Sequence, residues 1–324
     1  MDRRKFVGAA SIMTLGSIAG SLSLKSKPVR SDPVQAGPII DTHQHLWDIE
    51  RFKSGWSRPP LPRNFNMQDY LEATKGLNVI KSVYMEVAVP PDKRHEEALY
   101  AIEICKNKNN PTVAAVIAVD PNRVDFGEYM SEFTKSLFIK GIRYFFISGD
   151  EIINEQVVKN ILLLGEMGLS FDLVVPPKWL PQAIKLVKLC PRTRFIVDHC
   201  GNADPKAFFK SGKPLPNKPE HDPEVWKNDM KAIASEKNVV CKISGIVSRI
   251  PGYPLTSEDL SPIINHCLDV FGSDRVMFAG DWPVCLKNMP LASWVTILKE
   301  VVNGRSYEDR KKLFHDNAAR FYNI

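Results

Sequence analysis

The sequence lacks several patterns that would place it in a common class. Its six cysteines, at 105, 190, 200, 241, 267 and 285, include no C-x-x-C pair, which argues against a zinc ribbon, a thioredoxin motif or a dense disulfide framework. Neither G-x-G-x-x-G nor G-x-x-x-x-G-K-[ST] follows the first predicted strand, so an open nucleotide-binding sheet loses its main support. With 44% hydrophobic and 25% charged residues, the composition is that of an ordinary globular protein.

Positive charge is scarcer in most of the chain than its total suggests. Of the formal net charge of +6, residues 1–37 contribute +4 through six basic and two acidic residues, which leaves +2 for the remainder. That remainder shows no stripe of lysine and arginine, so a nucleic acid partner is not expected. After residue 24 no stretch approaches the roughly 18 apolar residues that a membrane span needs.

The first 37 residues have the pattern of an export signal and linker. Arg3, Arg4 and Lys5 precede an apolar segment that runs to about Leu24, which resembles a twin-arginine signal. The alternative is a charged terminus ahead of a short buried helix. We therefore expect a periplasmic or secreted protein, with residues 19–21 as a candidate cleavage region, or one anchored by its signal.

From residue 39 onward, short β-branched runs alternate with longer amphipathic segments. The predicted strands are 39–45, 81–87, 113–119, 139–145, 169–175, 194–199, 239–243 and 276–281. The predicted helices are 68–77, 93–108, 123–136, 152–167, 179–189, 223–236, 258–271 and 291–302, followed by a terminal helix over 306–322. Eight such units and polar residues at the strand ends predict a single-domain (β/α)8 TIM barrel over residues 38–324, with 201–222 as a long loop over its mouth.

Four candidate catalytic residues lie at or near the carboxyl ends of predicted strands. His43 and His45 are two residues apart on the first strand and therefore point to the same side, where they could share a metal ion or a substrate oxygen. His199 ends the sixth strand, with Asp198 expected on the opposite face. Asp281 follows four apolar or small residues, so burial would be costly unless the carboxylate is paired or functional. Such an acid can take a proton from water and pass it to a leaving group.

Together these motifs resemble a known family. H-x-H on strand one, D-H-x-G on strand six, K-I-S-G on strand seven and G-D-W-P on strand eight are similar to the amidohydrolase-related TIM-barrel hydrolases, most of all to the L-fuconolactonase-like branch. The resemblance covers about residues 38–324 and includes the segments 239–245, 271–278 and 316–322.

The resemblance implies that His43, His45 and His199 surround a reactive carbonyl or hold a divalent metal, expected to be zinc. Asp281 would activate water and could also bind the metal. Strand four has no bridging Lys or Glu, and strand five has no His at the usual ligand position, so one metal ion or none is expected. Glu86, at the end of strand two, could supply an anionic metal ligand or contact substrate; the alternative is a salt-bridged carboxylate.

Other residues are candidates for substrate binding. Arg143 could bind a carboxylate or hydroxyl groups through its planar fork, or form a structural ion pair. Lys242 could polarise the carbonyl or neutralise Glu86 or Asp281. Indole rings at the mouth could form an apolar wall against a sugar ring, or belong to the core; the candidates are Trp47, Trp282 and Trp56.

The function expected from these residues is hydrolysis of a sugar-derived or related lactone, a small-molecule substrate, by an Asp281-activated water. One alternative within the family is a metal-dependent amide hydrolase or an aromatic-acid decarboxylase. Another is an exported sugar-binding barrel without catalytic activity. The sequence does not determine the oligomeric state.

Overall fold

The protein was studied as a computed structural model, and its structure is described for residues 37–53, 61–210 and 212–324. The predicted leader, apart from residue 37, and Trp56 lie outside these residues. Within them, no helix combines the length and the apolarity that crossing a bilayer requires.

Parallel strands form the centre of the described structure. They are β1 (Ile39–Gln44), β2 (Val79–Met85), β3 (Thr112–Ala118), β4 (Ile139–Tyr144), β5 (Ser170–Leu173), β6 (Arg194–Val197), β7 (Val239–Ile243) and β8 (Val276–Phe278). Each pairs in parallel with the next along the chain. All eight predicted strands are present, although several end up to three residues earlier than predicted because the chain turns before the polar residue that follows.

The sheet closes into a barrel through a limited contact between its two ends. Gln44 of β1 and Trp282 beyond β8 form an isolated parallel bridge, and the His45 amide donates to the Trp282 carbonyl at 2.8 Å. The TIM barrel predicted from the sequence is therefore confirmed as an eight-stranded, nearly closed parallel barrel.

Helices surround the barrel in the predicted order. They are α1 (Ile49–Phe52), α2 (Met67–Ala73), α3 (Arg94–Lys106), α4 (Phe126–Phe133), α5 (Glu155–Glu166), α6 (Leu180–Leu189), α7 (His199–Asn202), α8 (Pro223–Ala234), α9 (Ser257–Phe271), α10 (Leu291–Val301), α11 (Tyr307–Lys311) and α12 (Asn317–Tyr322). Helix α9 illustrates the local causes: Thr256 and Asp259 form a capping box at its start, and Gly272 ends it. Its predicted apolar face is buried against the barrel.

Two layers of apolar side chains follow from the strand alternation. The larger one lies between strands and helices, whereas a smaller one inside the barrel includes Ile40, Val83, Val116 and Met277. Tyr322 of α12 joins this inner group, so the C-terminal helix covers the amino ends of the strands. The predicted terminal helix is interrupted by a π-helical turn at Lys312–Asp316.

Candidate active site

A cavity of about 410 Å³ opens at the carboxyl ends of the strands. Four of the residues predicted as catalytic or substrate-binding line it: His45, Arg143, His199 and Asp281. Arg143 is on β4, and the other three residues follow β1, β6 and β8, so residues distant in sequence meet at one end of the barrel. This is the end at which TIM-barrel enzymes carry their active sites.

Asp281 lies against both histidines of the first strand. Its Oδ1 atom is 3.6 Å from Nε2 of His45 and 3.7 Å from Nε2 of His43. The ring of His43 is 4.9 Å from that of His45 and 4.6 Å from that of His199, measured between centroids. The structure therefore brings the three imidazoles and the carboxylate together. His43 itself is fully buried behind the cavity wall.

The positions of protons on the two β1 histidines follow from their neighbours. Nδ1 of His45 lies 3.0 Å from the carbonyl oxygen of Met85, which can only accept, so Nδ1 carries the proton. Nε2 of His43 lies 3.1 Å from Nη1 of Arg143, which can only donate, so Nε2 has the lone pair. In the neutral rings both Nε2 lone pairs are on the side that faces Asp281. Burial lowers the pKa of His43 well below its usual value, which keeps this ring neutral.

His199 reaches the cavity because the chain turns sharply after β6. His199, Cys200 and Gly201 have φ values of 55°, 52° and 61°. This left-handed turn breaks the strand alternation, so the expectation that Asp198 faces away from His199 is wrong: both side chains contact the His43 side of the barrel. A Cβ atom on Gly245 would lie 2.4 Å from the His199 ring, which explains the glycine of K-I-S-G.

The ring of His199 is held by Ser244, whose Oγ lies 2.9 Å from Nδ1. Burial lowers the pKa of His199, although Asp281 and Asp198 act in the opposite direction. A neutral His199 has one N–H and can donate a hydrogen bond.

Arg143 is fixed by Glu86. The guanidinium donates from Nε to Glu86 Oε1 at 2.6 Å and from Nη2 to the Glu86 carbonyl at 2.9 Å. The other carboxylate oxygen of Glu86 accepts from the Ala88 amide at 2.7 Å. Glu86 was predicted to bind metal or substrate, but it is buried, does not line the cavity and is absent from the clusters of possible ligands among the described residues. Its oxygens are used within the protein, as the salt-bridge alternative predicted.

Lys242 lies deeper than predicted. It is completely buried, with Nζ 2.5 Å from Asp172 and 3.2 Å from Asp198, and it does not line the cavity. The prediction that Lys242 contacts substrate is therefore wrong. Lys242 neutralises Asp172 and Asp198 rather than Glu86 or Asp281. Burial by itself would raise the pKa of Asp198, but Lys242, His199 and Arg143 together hold it below its usual value.

The predicted tryptophan wall is also corrected. Trp47 and Trp282 are each 1% exposed, and neither lines the cavity. Both rings pack edge-on against Phe65, at 5.3 and 5.5 Å, because large apolar rings are more stable in the core than at a wet mouth. The aromatic residues that do line the cavity are Phe145 and Phe146, which follow β4. Their adjacent positions after a strand were the signal that sequence analysis missed.

Several of the remaining lining residues are polar and were not identified by the sequence analysis. The rim includes an ion pair between Arg249 and Glu220, which joins the loop after β6 to the segment after β7. Asn202, Ser248 and Lys287 also line the cavity. A ligand would therefore meet apolar rings on one side and several hydrogen-bonding groups on the other.

His43, His45 and Asp281 fit a divalent cation by their chemistry. One ligand atom from each lies within 4.8 Å of the others, and all three residues are buried. Two imidazoles with one carboxylate is a known ligand set of catalytic zinc sites. A cation at this point would replace the hydrogen bond from Arg143 to His43. A second group, His43, Asp198 and His199, is less suitable because Lys242 and Arg143 lie close to Asp198 and would repel a cation.

Several known proteins are similar to this chain in sequence or in fold. The amidohydrolase family model (Amidohydro_2) matches residues 40–324. The chain is 28% identical to an uncharacterised protein of Sinorhizobium fredii, over 88% of this chain and 98% of that one. It is 25% identical to the L-fucono-1,5-lactonase of Burkholderia ambifaria, over 88% and 95%. A zinc-bound amidohydrolase structure from Burkholderia multivorans has the same fold, with a TM-score of 0.76 and 20% identity over 89% of this chain and 99% of that chain.

Proposed function

The chain belongs to the amidohydrolase family, and from this premise we propose that it hydrolyses a sugar-derived lactone with Asp281 as the general base. The observation that carries the proposal is the position of the Asp281 carboxylate, 3.6 and 3.7 Å from Nε2 of His45 and His43, in a cavity that also contains Arg143 and His199. The name of the Burkholderia ambifaria relative supports a sugar lactone as the substrate class.

The proposed reaction moves one proton through Asp281. A water molecule in the cavity gives its proton to the carboxylate while its oxygen attacks the lactone carbonyl carbon. The negative charge that develops on the carbonyl oxygen is stabilised by donors from His199 and Arg143. The bond from the carbonyl carbon to the ring oxygen then breaks, and the proton on Asp281 passes to that oxygen. The products are a hydroxyl group and a carboxylic acid, which ionises at neutral pH.

Arg143 and the two β1 histidines prepare this step. Because Glu86 fixes the guanidinium at two points, Arg143 is already oriented before substrate binds. His45, which lines the cavity, could orient the water through its Nε2 atom, while His43 accepts a hydrogen bond from Arg143 behind the cavity wall. Lys242 has no part in the proposed step, since it is buried between two acids. A divalent ion bound by His43, His45 and Asp281 would supply Lewis-acid polarisation of the carbonyl.

The cavity supports a small substrate. Its volume of about 410 Å³ is within the range of ligand pockets, roughly 300–1,000 Å³. The polar side at Asn202, Ser248 and Arg249 could bind ring hydroxyls, and Phe145 and Phe146 could contact the apolar face of a sugar ring.

The decisive experiment is a proton-release assay with a panel of aldonolactones, comparing the unmodified protein with Asp281→Asn. We expect the substitution to lower kcat by about 10²- to 10⁴-fold because it removes the group that accepts the proton. Asp274→Asn is the matched control, since Asp274 is an exposed carboxylate that precedes the same strand. The control should keep the original rate.

Three outcomes would contradict the proposal. Full activity of Asp281→Asn would remove the base from the mechanism. Release of carbon dioxide from an aromatic acid, or amide hydrolysis, without lactone turnover would assign the chain to another reaction. Tight binding of a sugar lactone without acid release would favour a binding barrel.

The role of a metal is tested separately. The purified protein is analysed for zinc and other divalent ions, then dialysed against a chelator and assayed again. If His43, His45 and Asp281 hold the ion, the metal content should fall in His45→Ala and be unaffected in His95→Ala, a half-exposed histidine outside the cavity. Equal metal content in all three proteins would place any bound ion elsewhere.

We also propose that residues 1–37 contain a signal that directs export of the protein. It rests on the paired arginines ahead of an apolar segment. Replacement of both Arg3 and Arg4 by lysine should retain the protein in the cytoplasm of a host with a twin-arginine system, as measured by cell fractionation. Unchanged distribution would contradict the proposal.

A further inference from the structure

The catalytic residues meet where the barrel has its weakest strand pairing. His43 is on β1, His45 directly follows β1, and Asp281 follows β8. Among the described residues, these two strands share no continuous ladder; they are linked by the Gln44–Trp282 bridge and by side chains. Their junction, including residues 279–282 after β8, is called the seam below.

We propose that Asp41 is a positioning residue that crosses the seam and sets the distance from Asp281 to His43 and His45. The proposal rests on the function proposed above, because it assigns Asp41 to the same reaction. Asp41 does not line the cavity and is completely buried. It therefore acts through the residues that it holds.

The contacts of Asp41 reach both sides of the seam. Its Oδ1 accepts from the Gly280 amide at 2.7 Å and from the His43 amide at 3.1 Å. One of these amides belongs to the residue before Asp281, and the other to a histidine of the site. The second oxygen, Oδ2, accepts from the Tyr70 hydroxyl at 2.9 Å. The Asp41 carboxylate thus links the backbone of Gly280, the residue before the general base, to the backbone of His43.

Backbone bonds on the other side complete the restraint on Asp281. The Trp282 carbonyl accepts from the His45 amide at 2.8 Å, and the Asp281 carbonyl accepts from the Cys285 amide at 2.9 Å. Asp281 has a φ of 51°, in the left-handed region that a residue with a side chain adopts only when its surroundings impose it. The residues immediately before and after Asp281 therefore each make a hydrogen bond across the seam, Gly280 with Asp41 and Trp282 with His45.

Gly280 provides independent evidence for this contact. A Cβ atom at this position would lie 2.5 Å from Oδ2 of Asp41 and 3.0 Å from Leu291 Cδ1. The φ of Gly280 is not positive, so backbone freedom does not explain the glycine. The close approach of the Asp41 carboxylate explains it. The glycine of G-D-W-P and the aspartate two residues before the first histidine are thus parts of one contact.

The test disturbs this contact from both sides and measures kcat, KM and stability to urea with the best lactone. Asp41→Ala removes the acceptor, and Gly280→Ala displaces it without changing Asp41. We expect both to lower kcat by about 10²-fold, with KM within about threefold, because a misplacement of about 1 Å at a reacting group has an effect of that size.

Two further variants separate positioning from general stability. Asp41→Asn keeps the Oδ1 acceptor and should retain kcat within about tenfold. Tyr70→Phe removes only the hydrogen bond to Oδ2, so it should lower the urea concentration at the unfolding midpoint and leave kcat unchanged. Crystal structures of the variants that fold should show the distance from Asp281 to His45 increased above 3.6 Å in Gly280→Ala and conserved in Asp41→Asn.

The inference is overturned if Gly280→Ala or Asp41→Ala loses stability and keeps its kcat, or if Tyr70→Phe lowers kcat as much as they do. If Asp41→Ala does not fold, Gly280→Ala and Asp41→Asn still decide the question. Failure here is distinguishable from failure of the proposed function: an active Asp281→Asn variant contradicts the function, whereas an inactive Asp281→Asn with fully active seam variants contradicts only the role of Asp41.

Discussion

Arg143 and Lys242 are two buried cations at equivalent positions in their strands, and they differ in what they contact. Each is the next-to-last residue of its strand, and neither is more than 1% exposed. Arg143 contacts Glu86 and His43 and lines the cavity, whereas Lys242 contacts Asp172 and Asp198 inside the barrel. Position in a strand thus does not determine whether a charged residue belongs to the active site. The acidic residues around each cation determine whether it faces the cavity or the interior of the barrel.

The largest effect should come from removing the inner cation. Lys242→Met leaves Asp172 and Asp198 buried without their lysine, and we expect a loss of about 3–5 kcal/mol in the free energy of unfolding. Urea denaturation measures it. A double variant that also carries Asp172→Leu should recover part of the lost stability because it removes one of the two carboxylates left without a lysine partner. Equal stability of Lys242→Met and the unmodified protein would show that the pair is not ionised.

The corresponding change at the mouth should affect activity more than stability. Arg143→Lys keeps a positive charge near Glu86 but loses the fork that contacts Glu86 and His43 together. We expect kcat for lactone hydrolysis to fall by about 10²-fold, since one aligned donor to the developing oxyanion is lost. Lys178→Arg, a conservative change of a lysine outside the cavity, is the control. A loss of stability as large as that of Lys242→Met would remove the distinction between the two cations.

A third buried acid, outside both groups, gives an effect that depends on pH. Burial raises the pKa of Glu97 to about 8 from an ordinary value of 4.5, with the nearby Glu86 acting in the same direction. The folded state therefore holds its proton more tightly than the unfolded state. This contribution to stability is complete below about pH 4.5 and is lost as the pH rises to about 8, at up to about 1.4 kcal/mol per pH unit.

Unfolding in urea at several pH values between about 5 and 8 tests this contribution. Glu97→Gln should lose less stability than the unmodified protein as the pH rises; it should not become fully constant, because burial also raises the pKa of Asp41 to about 6 and that of Asp172 to about 7. Glu103→Gln, an exposed position on the same helix, should follow the unmodified protein. Parallel curves for all three proteins would show that Glu97 keeps an ordinary pKa.

The smallest expected effect on catalysis concerns the buried indoles. Because Trp47 packs against Phe65 and does not line the cavity, Trp47→Phe should leave KM within about twofold while lowering stability by about 1–3 kcal/mol. Steady-state kinetics and urea denaturation measure the two quantities. Phe146→Leu, which changes a cavity ring, should raise KM. A tenfold rise in KM for Trp47→Phe alone would return the indole to the substrate site.

Most of the barrel could be predicted because its elements depend on local pattern. β7 was predicted with its observed ends, and α9 begins one residue before its predicted start and ends where predicted. The pairing of His43 and His45 could also be predicted, because residues two positions apart on a strand have their side chains on the same side. The direction of the Asp198 side chain could not be predicted, because the left-handed turn that begins at His199 breaks the alternation from which it was inferred.

What the sequence by itself determined is the order of strands and helices, the apolar layers and the four polar residues that end three of the strands. These follow from short-range periodicity and from the cost of burying unpaired charge. Only the tertiary structure decided which cation faces the cavity, that Glu86 holds Arg143 and that Phe145 and Phe146 replace the tryptophans. Each of these depends on contacts between strands that are far apart in the chain, and no local pattern encodes the distance between them.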